Sequence, residues 1–397
     1  MLFTKKRSFN GSMSFNAKVL RFLGYGWNDP AKNILERRLF IQIAFYFLWL
    51  DPPALAYGCR HQQDQLKLVL KGFFEVMAVT GITVRMCLFA RGSSILRQVF
   101  DDVQRTLAIV SEDCSGEVRN ILDHLEMSAD KFAKGYTVGF TLQCLLYGPV
   151  QIVLATGKYF RNGEMPTIAV VQADFVLFDH CTNFITWLPV MFVSVVLVNI
   201  GVLHTTTTET FYWNLIHHVS CLFKIVKQQI SELDGIENKH KFQEKLSFIV
   251  EIHEVAFRSC RRLETALFAL LGYLYTSCIV QICYLMFIFS IIRDDLSVLS
   301  MMSVAVQYNI FLIFAFSMLG TELIEASLSV ADEVYNVRWY ERSPEERRLL
   351  LSIQRRSQIE ASMTAGKFFC VNRATFAMAM KTAFSYFTVI HQFYEQQ

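Results

Sequence analysis

Residues 178–203 read FDHCTNFITWLPVMFVSVVLVNIGVL. After Asp179 the run carries no charged residue. A helix needs about 20 mostly apolar residues to cross the hydrocarbon core of a bilayer, so this stretch is long enough to span. The rest of the chain has the same character. Of 397 residues, 53% are hydrophobic and 18% charged, and Phe alone accounts for 35. Mean hydropathy is +0.32. A soluble chain is usually about a quarter charged, so the composition points to lipid as the solvent.

Working outward, similar blocks lie at 39–58, 68–90, 133–156, 263–292, 299–324 and 373–394. The last is the least hydropathic, because it carries Arg373 and Lys381. Strand-like alternation over barrel-length segments is missing, so the spanning element is helical. The expected fold is an all-α integral membrane protein with seven transmembrane helices. Lys and Arg set its orientation. Segment 1–38 holds Lys5, Lys6, Arg7, Lys18, Arg21, Lys32, Arg37 and Arg38, and the second, fourth and sixth connections are also basic. The first, third and fifth carry only Arg60 and Lys67, Lys158 and Arg161, and Arg293. The expected N-terminus is therefore cytoplasmic, and seven spans put the C-terminus outside. The polar, basic start contains no apolar signal-peptide region. With the N-terminus inside, the sequon Asn10-Gly11-Ser12 is expected to be inert.

The connections 204–262 and 325–366 have few Gly and Pro and many periodic apolar residues. Phe211, Leu215, Leu222, Ile225 and Val226 are expected on one helical face, as are Phe242, Leu246, Ile249, Val250 and Phe257. These read as cytoplasmic extensions of the spans. They either close a bundle within one chain or anchor an oligomer.

Catalytic and metal motifs do not emerge. His253-Glu254 fails to open a zinc HExxH because Phe257 takes the second histidine's place. His217 and His218 are adjacent and face different sides of a helix. The reading is of a non-enzyme with no cofactor, no metal and no nucleic-acid partner. Of ten cysteines, Cys59 and Cys181 alone fall near the outer face, where a disulfide would have to form. Arg85, in the inner half of the second span, is expected to snorkel to the interface.

The outer halves of the spans are rich in aromatics and methionine. Phe73, Phe74 and Met77 open span two. Gln143, Tyr147 and Val150 close span three. Phe184, Trp187, Leu188 and Met191 open span four. Met302, Gln307, Tyr308 and Phe311 open span six. Such residues also serve packing and lipid contact. An apolar cavity with a few polar handles, however, suits a small hydrophobic ligand. The candidate ligand-binding set is Phe73, Met77, Gln143, Tyr147, Val150, Phe184, Trp187, Leu188, Met191, Gln307 and Tyr308.

Near the C-terminus a specific pattern appears. Tyr335 and Trp339 precede a basic stretch to Ser357-Gln358. Then come Thr364-Ala365-Gly366-Lys367-Phe368-Phe369, Thr375-Phe376, and Lys381-Thr382-Ala383-Phe384-Ser385-Tyr386-Phe387-Thr388. This run resembles the insect odorant receptor family. Cys370 stands where many members have Pro, and Phe384 where Tyr is common. The ending Val389-Ile390-His391-Gln392-Phe393 approaches the signature of the sister gustatory receptor family, which stays as an alternative.

The resemblance implies an odour-gated, non-selective cation channel in the plasma membrane of sensory neuron dendrites. It also implies a heterotetramer with the odorant receptor co-receptor. The chain lacks the long insertion between spans four and five typical of the co-receptor, so it resembles a tuning subunit that takes a small volatile organic ligand. The implied organisation is a cytoplasmic segment 1–38, spans one to four in 39–203, a cytoplasmic helical extension 204–262, spans five and six in 263–324, a cytoplasmic anchor segment 325–366, and a pore-lining seventh span with a short extracellular tail in 367–397. By match to the family pattern, Val389, Gln392 and Phe393 face the channel. Val389 and Phe393 would form an apolar gate and Gln392 a neutral dipole. Two other classes make different predictions. A metabotropic seven-helix receptor requires the N-terminus outside, and a transporter requires an internal repeat, which this sequence does not display.

Overall fold

The computed structural model describes residues 13–25, 32–60, 66–112, 115–163, 183–291 and 296–395. Asn10 and Cys181 lie outside them, so neither the sequon nor the Cys59–Cys181 pairing is addressed. Among the described residues ten α-helices dominate: α1 (Ser14–Leu23), α2 (Lys32–Arg60), α3 (Leu66–Glu112), α4 (Gly116–Tyr147), α5 (Pro149–Asn162), α6 (Phe184–Ser231), α7 (Lys239–Ile291), α8 (Leu296–Asn336), α9 (Pro344–Ser357) and α10 (Arg373–Glu395). Two short strands, β1 (Thr364–Ala365) and β2 (Phe369–Cys370), form an antiparallel hairpin between α9 and α10.

Local chemistry sets several helix ends. Ser115 accepts from the Val118 N–H to cap α4. Asn183 does the same for α6 through the Ile185 N–H. Ser343 and Glu346 make a reciprocal capping box on α9, the arrangement that satisfies two orphan N–H groups at once. The expected continuous span 133–156 is instead broken at Gly148, between α4 and α5. Pro149 has no N–H to give the helix and its ring crowds the preceding turn, so a new helix starts with Pro in its first position.

The central element is α6. Every residue from His204 to Ile216 is buried, and α6 packs on α1, α2, α3, α4, α5, α7 and α8. A helix buried all round sits at the middle of a bundle. Further along, the expected face holds: Phe211, Leu215, Leu222, Ile225 and Val226 are buried, while His217, Lys224 and Gln228 are half-buried and Lys227 exposed on another side. Thr205, Thr206, Thr208 and Thr210 donate back to carbonyls one turn earlier, and the Thr210 hydroxyl also accepts from the Asn16 side chain of α1 (2.8 Å). The second expected face holds too, with Phe242, Leu246, Ile249 and Phe257 buried and Val250 half-buried.

Large apolar side chains also face outward. On α2, Phe40 is 73% and Leu48 66% exposed, and on α6 Ile185 is 79% and Phe192 65% exposed. So much uncovered apolar surface suits lipid rather than water. Among the described residues, four helices are long and apolar enough to cross a membrane by composition alone, within Val69–Glu112, Phe184–Gly235, Lys239–Ser290 and Ser303–Asn336. The helices α2, α4 and α10 pack against these.

The hairpin fastens α10 to the bundle. Its turn, Ala365–Phe368, has positive φ at both Gly366 (61°) and Lys367 (63°), the geometry favoured in tight hairpins. The Gly366 N–H donates to the Phe268 carbonyl of α7 (2.8 Å). The Thr364 N–H donates to Glu264 (2.7 Å), and the Thr364 hydroxyl reaches the same carboxylate. On the other side, the Arg373 N–H donates to the Thr321 hydroxyl of α8 (2.9 Å). The start of α10 is therefore tied to both α7 and α8.

Candidate functional site

A cavity of about 180 Å³ lies among α2, α3, α4, α6, α7 and α8. For scale, an engineered apolar cavity of about 150 Å³ holds benzene. Its walls include Val79, Ile82, Phe140, Val198, Val202 and Ala305. The polar lining is sparse: Tyr46, Gln143, Gln281, Tyr308, Asn309, Thr205, Thr206, and the charged pair members Glu75 and Arg85. Asn309 donates to Gln281 Oε1 (3.2 Å), which joins α8 to α7. Glu75 pairs with Lys71 at 2.8 Å, both buried.

At one end sits a buried ionic network. Arg85 Nη1 lies 2.9 Å from Glu209 Oε1 and donates to the Tyr308 hydroxyl at 2.6 Å. The Tyr308 hydroxyl donates in turn to Glu209 Oε1 (2.6 Å). The Tyr136 hydroxyl donates to Glu209 Oε2 (2.9 Å). Arg85 Nε donates to the Gly81 carbonyl (3.1 Å). Arg85 does not snorkel. Glu209, placed by the sequence beyond the fourth span, compensates its charge inside the bundle, and the carboxylate is satisfied by three donors. Buried charges persist when they are paired and hydrogen-bonded in this way.

The expected ligand residues divide. Gln143 and Tyr308 line the cavity. Met77 is half-buried against the cluster of Phe74, Leu285 and Ile288. Phe73 is 54% exposed, with its ring 5.7 Å from that of Tyr284. Trp187 and Met191 are buried in a separate cluster with Tyr46, Leu50 and Val79. Phe184 stacks between Tyr159 (4.1 Å) and Trp187 (5.7 Å). Val150, Leu188 and Gln307 are exposed. The Tyr147 side chain is outside the described set. Reading outer halves for aromatics missed Tyr46, Phe140, Arg85 and Gln281. Only the in-span charge at Arg85 carried a signal, since an ionisable residue within a span defaults to function.

On α10, Thr375, Ala379 and Ala383 are buried on a helix that packs against α7 and α8. Phe376 meets Phe314 of α8 ring to ring at 5.5 Å. Phe384, Tyr386, Val389 and Ile390 are exposed, Val389 at 46%. Gln392 is exposed and the Phe393 side chain is not described. His391 packs its ring 5.5 Å from Phe387. A single chain thus leaves an apolar face of α10 uncovered.

In the segment 204–262, expected to extend beyond the spans, two histidines are held in opposite states. Burial opposes charge on His217, but its hydrogen bonds to Cys221 and Glu322 outweigh that and hold its pKa up to about 10. Burial, reinforced by the Arg356 guanidinium, holds His253 down to about 4.

Comparison with known proteins agrees with this geometry. The family model described as 7tm Odorant receptor matches residues 65–384. Odorant receptor 22c of Drosophila melanogaster is 25% identical over 370 residues, which is 85% of each chain. The Drosophila melanogaster odorant receptor coreceptor is 32% identical over 85 residues, 21% of this chain and 18% of that one. The fold matches the insect olfactory receptor OR5 of Machilis hrabei with a TM-score of 0.78 at 16% identity, covering 95% and 97% of the two chains. The structure of that receptor in complex with eugenol gives a TM-score of 0.71, covering 96% and 97%. An all-α, multi-pass membrane fold with a small cavity among its helices, matched by the family model over most of its length, leaves one assignment: the chain belongs to the 7tm odorant receptor family.

Proposed function

We propose that this chain is the odour-binding subunit of a ligand-gated, non-selective cation channel, assembled with the odorant receptor co-receptor in the plasma membrane. Its N-terminus is cytoplasmic and its C-terminus extracellular. A small apolar ligand occupies the cavity between α3, α4, α6 and α8, and α10 lines the ion path with Val389, Gln392 and Phe393. One observation carries the reading. The helix α8 touches both sites: Ala305, Tyr308 and Asn309 line the cavity, while Phe314 and Thr321 hold α10. A ligand that shifts α8 therefore has a packed route to α10. Machilis OR5 has been solved in complex with eugenol, a small aromatic. That molecule illustrates the class of ligand expected here.

The uncovered apolar face of α10 fits contact with other subunits round a pore. Val389 and Phe393 exclude water from a narrow passage and so close it. The test is voltage clamp of cells expressing this chain with and without the co-receptor, with G-protein signalling blocked. Odour-evoked current is expected only from the pair and is expected to survive the block. Current that disappears with the block supports a metabotropic receptor instead.

A further inference from the structure

We infer that apolar ligands enter the cavity sideways from the bilayer, through a groove between α2, α3 and α6 whose inner wall is Tyr46. The inference rests on the reading of this cavity as the odour site. The groove has a volume of about 300 Å³ and no charged side chain in its lining. Its rim is exposed and apolar, with Ile41 on α2 facing Phe192 and Val196 on α6. Its floor is buried and includes Met86, Leu197 and Tyr46. Tyr46 alone lines both the groove and the cavity. Arg85 and Val198 line the cavity, while their chain neighbours Met86 and Leu197 line the groove. At Tyr46 the partition between the two spaces is a single side chain.

That side chain is held by packing. The Tyr46 hydroxyl makes no hydrogen bond among the described residues, whereas a buried phenol usually finds a partner. The ring rests on Gly201 of α6, where a Cβ would fall 2.8 Å from the Tyr46 hydroxyl and Cε2. Such a ring swings aside without breaking a hydrogen bond. The groove itself offers a ligand little polar hold. Gln42 is its one amide, and the amide oxygen lies 3.3 Å from a ring nitrogen of His204. An apolar groove of this kind suits passage better than storage. The bilayer supplies the concentration: each methylene enriches a solute in hydrocarbon over water by about fourfold. Ligands that fit an apolar cavity are therefore the ones that lipid gathers at the rim.

The test follows para-fluorotoluene by fluorine NMR exchange on full-length receptor assembled with the co-receptor in nanodiscs. The cavity-bound signal is the one that the cavity-filling Val202→Trp removes. Ile41→Trp and Val196→Trp narrow the groove from opposite walls, at exposed positions that line no part of the cavity. Each is expected to slow association and dissociation alike by about tenfold, because one barrier is crossed both ways, with Kd within about twofold of wild type. Val280→Trp puts the same ring on an exposed position of α7 outside the groove and is expected to leave both rates unchanged.

Wild-type rates in both groove variants, with the signal still removed by Val202→Trp, overturn lateral entry and leave the odour site standing. Faster dissociation at unchanged association also overturns it, since that pattern marks weaker binding rather than a blocked passage. Equal slowing by Val280→Trp overturns the groove as the route. Absence of any bound signal sensitive to Val202→Trp removes the cavity reading and this inference with it.

Discussion

Arg85 on α3 and Glu209 on α6 meet 2.9 Å apart at the end of the cavity, Glu209 buried and Arg85 only 11% exposed. The pair is locked by Tyr136 and Tyr308, which donate to the same carboxylate. Breaking such a pair from one side leaves an uncompensated charge, at a cost of about 3–5 kcal/mol. Glu209→Ala is therefore expected to cut surface expression sharply. The neutral pair Arg85→Met with Glu209→Leu is expected to restore it. Flow cytometry of an extracellular C-terminal tag measures both. Normal surface levels for Glu209→Ala would show that the pair is not structural.

The hairpin depends on close backbone approach. A Cβ at Gly272 of α7 would sit 2.8 Å from the Gly366 nitrogen and 2.9 Å from its Cα. Backbone on both sides leaves little room to yield, so overpacking costs roughly 1–3 kcal/mol. Gly272→Val is expected to lower the unfolding midpoint and to reduce evoked current by loosening the start of α10. Gly116→Ala, where nothing lies within 4 Å, serves as the control and is expected to match wild type. Equal midpoints for all three proteins would contradict the tight fit.

His253 accounts for an acid sensitivity. Its ring nitrogen lies 2.8 Å from the Ser357 hydroxyl, and burial with the nearby Arg356 holds its pKa down to about 4. The unfolded chain takes up a proton near pH 6.5, whereas the folded chain resists until about 4. The stabilising contribution is complete above pH 6.5 and is lost as the pH falls from there towards 4, by about 3 kcal/mol at the lower end. A melting series from pH 7.5 to 4.5 should show this decline, and His253→Gln should flatten it. Identical pH profiles for the two proteins would remove His253 as the cause.

The contrast between what the sequence disclosed and what it withheld follows interaction range. The apolar run 178–203 and the periodic helices of 204–262 are local patterns, each visible in a window of some twenty residues; the run Thr364–Phe369 carried the family resemblance but not its hairpin. The partner of Arg85 is 124 positions away, in a segment whose composition places it past the membrane. Periodicity assigned Arg85 to a helix end and had no means of finding Glu209. The cavity suffered similarly. Tyr308 and Gln143 line it, but so does Tyr46, which comes from mid-helix in α2. Trp187, the most conspicuous aromatic of span four, is 2% exposed, packed in the same cluster as Tyr46 but not among the residues that line the cavity. Aromatic richness identifies helix surfaces worth burying; tertiary packing decides which of them enclose a space.

On α10, Val389 is 46% exposed in the single chain. If its face closes a pore, Val389→Ser should hydrate the narrow point and raise unliganded leak severalfold. Gln392→Glu should instead alter divalent block with little change in leak. Whole-cell recordings with bi-ionic reversal potentials distinguish the two effects. Wild-type leak, block and reversal potential in both variants, at equal surface expression, would place this face against another surface.

The most direct measurement fills the cavity from two sides. Val202→Trp on α6 and Ala305→Phe on α8 both occupy space in the 180 Å³ cavity. Each is co-expressed with the co-receptor and tested across an odour panel at matched surface expression. The account predicts that both variants shift the half-maximal odour concentration upward by tenfold or more, or abolish the response, with unliganded leak unchanged. Dose–response curves that superimpose on wild type in both variants would contradict it.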